Sequence, residues 1–218
     1  MRAVVLVLLL ALAAPLNAQT AAGPTGWQWR LDAPAPLVNG TKTPPGDSGW
    51  LFVDMAPGWH VTMGPGGFLY DPANTASGRY AVQAEMILFP SSSNEEFGLF
   101  IGGRSGAGGE AVSWFVVRRD GKAAAFSSSN GQYLPLSDWA SYEGVKPLAA
   151  NGNVRTVVRV LAEPDSVRFF VDGVRIGAWD RAALPVDGVY GLRIGRGANM
   201  HITNLDITRR QAPFPARR

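Results

Sequence analysis

The chain has 218 residues, of which 46% are hydrophobic and 17% charged, so it is long enough for one globular domain with a substantial core. Its formal net charge is only +3 and its lysines and arginines form no continuous track, which argues against a nucleic-acid partner. Its 26 glycines and 16 prolines favour strands and turns over helices, and with no cysteine the fold must be held by its core alone.

Residues 1–18 have the composition of a signal peptide. Arg2 precedes an apolar run from Val4 to Ala14 that is too short to span a bilayer, and Ala18 supplies the small residue that signal peptidase requires. We predict cleavage after Ala18, with Ala22 as the alternative, and a periplasmic or extracellular location in a bacterium. No membrane span is expected after cleavage. The competing interpretation is a buried N-terminal helix.

Residues 19–49 are predicted to form a Pro- and Gly-rich arm that contains one strand. Within this arm Trp27, Trp29 and Leu31 alternate with polar residues, so we expect all three to face the core. The main domain is predicted over residues 50–208, and residues 209–218, rich in Arg and Pro, are predicted to be a flexible tail.

The main domain contains about twelve short strand candidates separated by turn signals. Tyr80 to Leu88 is the clearest, because apolar residues occupy every second position. Asp172-Gly173 predicts a β-hairpin, since both central turn positions of such a pair require a positive φ. Asp120-Gly121 and Asn130-Gly131 predict two further hairpins. With no helical period in this region, the pattern predicts an all-β fold: a two-sheet antiparallel β-sandwich.

Three motifs close the domain: VDG at Val171–Gly173, GVYGLRIG at Gly188–Gly195 and HITNLDIT at His201–Thr208. Together they resemble the end of concanavalin A-like lectin/glucanase sandwiches, an ending shared by laminin G-like domains and the 3-keto-disaccharide hydrolase family. The resemblance implies a jelly roll in which the N-terminal strand lies beside Ile202 to Ile207. It also implies that one concave sheet holds the ligand.

The catalytic patterns of this superfamily are missing from the sequence. Retaining glucanases of the resembled type place three carboxylates at alternate positions of one strand, whereas Glu95 and Glu96 are adjacent here and Glu85 stands alone. FGLFIGG at Phe97–Gly103 replaces the Asn-Ser-Gly-like strand of the hydrolase family. The metal-ligand pattern of legume lectins is also absent, and neither histidine has partners at metal-ligand spacing. We therefore predict no catalytic residue, no metal site and no cofactor, and the sequence leaves a structural calcium ion open.

Aromatic and polar residues in two predicted loops form the candidate ligand site. The longer loop, 137–153, has no strand pattern, and a connection of this length is often functional. Trp and Tyr stack on sugar rings, while Glu, Lys and His can bond hydroxyl groups. The predicted ligand-binding residues, at one rim of the sandwich, are Trp59, His60, Trp139, Tyr142, Glu143 and Lys146. The alternative is that Trp139 plugs one end of the sandwich and that Trp59 belongs to the core.

Several arginines fall opposite the apolar faces of neighbouring strand candidates. They are Arg155, Arg159 and Arg168, which Arg175 and Arg193 would join. On a concave sheet such a set would suit uronate or sulfated glycans, because the guanidinium group pairs with carboxylate and sulfate in a bidentate manner. We favour the simpler interpretation of an ordinary solvated face whose arginine stems cover apolar surface.

The function predicted from the sequence is an exported, non-catalytic carbohydrate-binding or interaction domain of the concanavalin A-like type, with a polysaccharide or other glycan as its partner. One alternative is a glycoside hydrolase or lyase that acts on an unusual saccharide through an isolated carboxylate such as Glu85 or Glu143. Another is an envelope domain that binds a second protein.

Overall fold

The computed structural model describes residues 23–35, 37, 49–90, 94–104, 110–130, 132–147 and 153–209. The predicted signal peptide, most of the arm and residues 210–218 of the tail lie outside these ranges. The described strands are β1 (Gln28–Leu31), β2 (Trp50–Asp54), β3 (Trp59–Met63), β4 (Gly67–Tyr70), β5 (Thr75–Ala76), β6 (Tyr80–Leu88), β7 (Glu96–Arg104), β8 (Ala111–Arg118), β9 (Lys122–Ser129), β10 (Gln132–Ser141), β11 (Val154–Ala162), β12 (Ser166–Val171), β13 (Val174–Asp180), β14 (Gly188–Ile194) and β15 (Asn199–Arg209).

The strands form two antiparallel sheets that pack face to face. The eight-stranded sheet has the order β1-β4-β14-β7-β8-β9-β10, and β5 pairs with β14 beside this path. The seven-stranded sheet has the order β13-β12-β11-β6-β15-β3-β2. A single turn of 3-10 helix, Arg181–Ala183, connects β13 to β14. The prediction of an all-β, two-sheet jelly-roll sandwich is confirmed.

The core lies between the two sheets and follows the period-two pattern of the sequence. On β6 every second residue from Tyr80 to Leu88 is at most 1% exposed. Phe115 of β8 reaches across to Phe169 of β12, with ring centroids 5.7 Å apart. Fully burying one such side chain contributes roughly 1.5–3 kcal/mol to stability, and many such side chains are buried between the two sheets.

The first strand pairs differently from the expectation. β1 pairs with β4 in the eight-stranded sheet, and not beside Ile202 to Ile207 of β15, which belongs to the other sheet. The reason is that Trp27, just before β1, closes the gap between the sheets by contacting Phe52 and Trp59 at centroid distances of 5.0 and 4.9 Å. Trp29 was expected to face the core, but it is 38% exposed and covers Trp50 at the edge of the sandwich.

The predicted 137–153 loop is shorter than expected. β10 continues to Ser141, so the connection to β11 begins only after that residue. Two register shifts in the β9–β10 ladder, on either side of Ser137, let the strand continue past Pro135. The Ser137 side chain accepts the Ala125 backbone N–H at 3.0 Å in place of a regular ladder bond. These irregularities disrupt the alternation of apolar and polar residues, which is why the sequence of this segment predicts a loop.

The β12–β13 hairpin has the predicted turn at Asp172-Gly173, where φ is +48° and +85°. Asp172 also anchors the turn to β11, because its Oδ1 accepts the Val157 N–H at 2.7 Å. A Cβ atom at Gly173 would meet no other atom within 4 Å, so only the backbone conformation demands glycine there.

Gly173→Val should therefore lower the free energy of unfolding by more than about 1 kcal/mol, because a β-branched residue does not adopt the left-handed conformation. Gly173→Asn should cost less, since asparagine tolerates that region. Thermal or urea unfolding of both variants checks this. Equal loss in both variants would show that something other than the backbone conformation is responsible.

Candidate functional site

The structure does not bring the six predicted ligand-binding residues to one rim. Trp59 and His60 lie on β3 in the seven-stranded sheet, near the side that β1 closes. Trp139 lies on β10, at the opposite edge of the other sheet. Tyr142 packs against the main core. The two remaining residues, Glu143 and Lys146, are exposed around the turn that follows β10.

His60 belongs to a small polar cluster on the outer face of the seven-stranded sheet. It lies directly opposite His201 of β15, and its Nε2 is 3.2 Å from the Thr62 hydroxyl. Thr62 donates its one proton to Asn199 Oδ1 at 3.3 Å, so His60 Nε2 is the donor to Thr62. Burial lowers the pKa of His60, and the neighbouring His201 lowers it further.

Within the described ranges, no group of three or more His, Asp or Glu side chains is arranged to hold a metal ion. In the same part of the chain, no helix has the length and apolar character needed to cross a membrane.

The outer face of the eight-stranded sheet carries linked aromatic side chains, which we call the aromatic face. From β4 to β10 they are Phe68, Tyr70, Phe100, Trp114, Phe126, Tyr133 and Trp139. Their neighbours along each strand, such as Leu69, Leu99 and Phe115, point into the core. Ring centroids are 5.3 Å apart for Phe68 and Phe100, 5.5 Å for Trp114 and Phe126, and 5.8 Å for Phe126 and Trp139. The rings therefore form one connected surface across the sheet.

Arg193 of β14 fixes the end of the aromatic face near β1. Its guanidinium makes two 2.8 Å hydrogen bonds to Asp32, after β1, and bonds of 2.9 and 3.1 Å to Glu96 of β7. It also lies 4.8 Å from the centroid of the Phe68 ring. Burial alone would lower the Arg193 pKa, but the hydrogen bonds and charges of Asp32 and Glu96 outweigh it and raise the pKa. The arginine thus stays charged and ties three strands together.

Trp139 closes the other end of the aromatic face. Arg118 of β8 lies 4.5 Å from the Trp139 ring centroid and is held by Asp120 through a 2.7 Å ion pair. The indole is half-buried, packed on Phe126. Part of it therefore remains exposed.

A recess of about 270 Å³ opens on the aromatic face near β1. Phe68, Tyr70 and Phe100 are among its apolar lining, and its polar lining is Gln28, Arg30, Arg104 and Glu110. Arg30 and Glu110 form an ion pair. A second recess of about 400 Å³ shares Arg104 with the first and is lined by Ser127, Ser129, Gln132 and the β13–β14 connection. Aromatic surface beside hydrogen-bonding groups suits ligands with both apolar faces and hydroxyl groups.

The arginines predicted to share one face are divided between the two sheets. Arg193 lies on the aromatic face, whereas Arg155, Arg159, Arg168 and Arg175 lie on β11, β12 and β13 of the other sheet. There Arg155 pairs with Glu85 at 2.5 Å. The hydrogen bond from Arg155 lowers the pKa of Glu85, which is the opposite of what a general acid needs.

The sequence contained one signal for the aromatic face that the loop-based prediction missed. In β8 the residues on both sides of the strand are apolar: Phe115 and Val117 face the core, while Val112, Trp114 and Val116 face outward. An antiparallel strand at a solvated face normally alternates with polar residues. A strand that is apolar on both faces indicates an outer surface with a separate role.

No protein-family model and no curated protein sequence matches the chain. Among solved structures, the carbohydrate binding module CBM66 from Bacillus subtilis superposes with a TM-score of 0.58 and 15% identity, covering 84% of this chain and 95% of that one. A functionally unknown protein from Saccharomyces cerevisiae gives 0.52 and 14% identity, covering 88% and 100%. A Bacillus subtilis protein of unknown function with a galectin-like fold gives 0.50 and 10%, covering 69% and 81%. At these identities the likeness shows the fold: a galectin- and CBM-like jelly roll.

The lowered pKa of His60 predicts a dependence of stability on pH. Because the folded pKa lies below the unfolded value of about 6.5, the unfolded state takes up a proton first, and stability falls as pH falls below about 6.5. His60→Gln removes this term. The stability difference between wild type and His60→Gln should therefore shrink as the pH is lowered from 8 to 5. Urea unfolding across that range measures it, and a constant difference would contradict the assignment.

Proposed function

We propose that the protein is a non-catalytic carbohydrate-binding domain that holds a saccharide on the aromatic face. The observation that carries this proposal is the connected row of rings beside a recess with hydrogen-bonding walls. Sugar rings have apolar C–H faces that stack on aromatic side chains, and their hydroxyl groups bond to amide, hydroxyl and guanidinium groups. Tyr70, Trp114, Tyr133 and Trp139 all retain exposed surface, so they can make such contacts.

The length of the aromatic face supports a chain of sugars as the ligand. The rings run from β4 through β14, β7, β8 and β9 to β10. Five strand spacings of about 4.8 Å give a length on the order of 24 Å. A surface of this length perpendicular to the strands exceeds one monosaccharide. We therefore propose an oligosaccharide or polysaccharide that crosses the strands.

The opposite outer face supports this choice by contrast. The seven-stranded sheet carries four arginines on its outer side, of which Arg155 and Arg175 are exposed and Arg159 and Arg168 are half-buried. Such a face is typical of an ordinary solvated surface. Of the six residues predicted from the sequence, Trp139 alone belongs to the proposed site.

Trp139→Ala should weaken binding several-fold, because stacking of one ring contributes on the order of 1 kcal/mol. Affinity electrophoresis and calorimetry with a panel of soluble neutral and anionic polysaccharides measure it. Trp29→Ala is the matched control, since Trp29 is also partly exposed but packs on Trp50 at the sandwich edge. Unchanged affinity in Trp139→Ala, with a normal melting temperature, would remove Trp139 from the site. Binding of no polysaccharide by the wild type would overturn the proposed function.

We further propose that this domain belongs to the concanavalin A-like superfamily and acts outside the cytoplasm of a bacterium. The closing motifs VDG, GVYGLRIG and HITNLDIT support the first statement, and the charged and apolar pattern of residues 1–18 supports the second. Mass spectrometry of protein recovered from the periplasm or medium should find an N-terminus between Ala18 and Thr25. Recovery of the chain with Met1 intact in that fraction would contradict export through this signal.

A further inference from the structure

We infer that the bound glycan is acidic and that Arg104 binds its carboxylate or sulfate group. This inference rests on the proposed function and specifies the chemical class of the ligand. Arg104 does not belong to the group of arginines that the sequence pattern placed opposite the apolar strand faces.

Arg104 occupies the boundary between the two recesses. It is the last residue of β7 and is exposed, and it lines both the recess beside Phe68 and the recess beside the β13–β14 connection. No hydrogen bond or ion pair joins its guanidinium to another residue of the described ranges. A ligand that fills either recess would therefore meet this group.

The other charged groups around the recess already have partners. Arg30 pairs with Glu110, and Arg193 is held by Asp32 and Glu96. Among the lining residues of the first recess, two arginines face one carboxylate, which leaves one positive charge, and Arg104 carries it. A ligand carboxylate or sulfate would balance this charge.

The backbone that leads to Arg104 is closely packed. Gly102 has φ +69°, and a side chain there would collide with the Pro185 carbonyl of the β13–β14 connection. That carbonyl is itself fixed, because Ser113 Oγ donates to it at 2.9 Å. A Cβ atom at Gly188 would lie 3.1 Å from Arg104 Cγ, so glycine leaves just enough space for the stem. The end of β7 therefore keeps the Arg104 backbone at the boundary between the two recesses.

Desolvation makes the unpaired guanidinium selective. A neutral glycan that covers Arg104 removes water from a full charge and returns only weaker hydrogen bonds. An acidic glycan replaces that water with a bidentate, charge-assisted pair. Gln28 and Tyr70 line the same recess and can bond hydroxyl groups next to the acid. Preference for the acidic ligand thus arises from two effects: the charge-assisted pair with the acidic group, and the uncompensated desolvation of Arg104 by a neutral glycan.

The test compares each acidic polysaccharide with its own uncharged counterpart. Suitable pairs are polygalacturonate with its methyl ester and dextran sulfate with dextran, measured by calorimetry at fixed salt concentration. The wild type should bind the acidic member of at least one pair about tenfold more tightly or better. The polygalacturonate pair tests recognition of a carboxylate group, and the dextran sulfate pair tests recognition of a sulfate group. Equal affinity for both members of every pair would overturn this inference and leave the proposed function standing.

Three arginine variants separate recognition at Arg104 from general charge attraction. Arg104→Gln should abolish the preference for the acidic member. Arg175→Gln removes the same charge from an exposed site on the other sheet and should keep the preference. Arg104→Lys should keep only part of it, because lysine lacks the bidentate geometry. Equal loss in Arg104→Gln and Arg175→Gln would overturn the assignment. Trp139→Ala should weaken both members of a pair by a similar factor. Binding of neutral polysaccharides of the panel alone would overturn this inference only, and binding of no polysaccharide at all by the wild type would overturn the proposed function as well.

Discussion

The structure depends on one constraint: the eight-stranded sheet carries connected apolar side chains on its outer face as well as on its inner face. The seven-stranded sheet covers that inner face, as the contact of Phe115 with Phe169 shows. None of the described strands lies over the outer face, and the rings there cover one another. Phe68 and Phe100 become only 6% and 3% exposed in this way, whereas Tyr133 remains 59% exposed. The incomplete cover is what leaves aromatic surface available to a ligand.

Polar interactions hold the aromatic face at its two ends. Arg193 is only 12% exposed and is bound by two carboxylates from different strands, so loss of either one would leave a poorly solvated charge less compensated. At the other end Arg118 stacks on Trp139 while Asp120 fixes its guanidinium. The aromatic rings between Arg193 and Arg118 thus lie on strands and not on loops. A site built on strands keeps its geometry when a ligand arrives, which lowers the entropic cost of binding.

The sequence predicted the sandwich and its hairpins because those depend on local patterns. The alternation of apolar and polar residues identifies the buried residues of β6. The Asp172-Gly173 pair specifies the turn between β12 and β13. Pattern alone does not identify which sheet a strand joins, and so β1 was expected beside β15 although it pairs with β4. The register shifts around Ser137 hid the strand that carries Trp139. The aromatic face was missed for a different reason: its residues are far apart in sequence, and only the strand order brings Phe68 and Trp114 into contact.

The most direct test of a binding site on the aromatic face is a backbone NMR titration. The ligand is an oligosaccharide derived from a polysaccharide that binds the wild type. Amide signals of Phe100, Trp114 and Phe126 should shift with increasing ligand, while those of Arg159 and Phe170 on the other sheet should stay unchanged. Shifts confined to the seven-stranded sheet, or to the turn around Glu143 and the Trp59 strand, would contradict a binding site on the aromatic face.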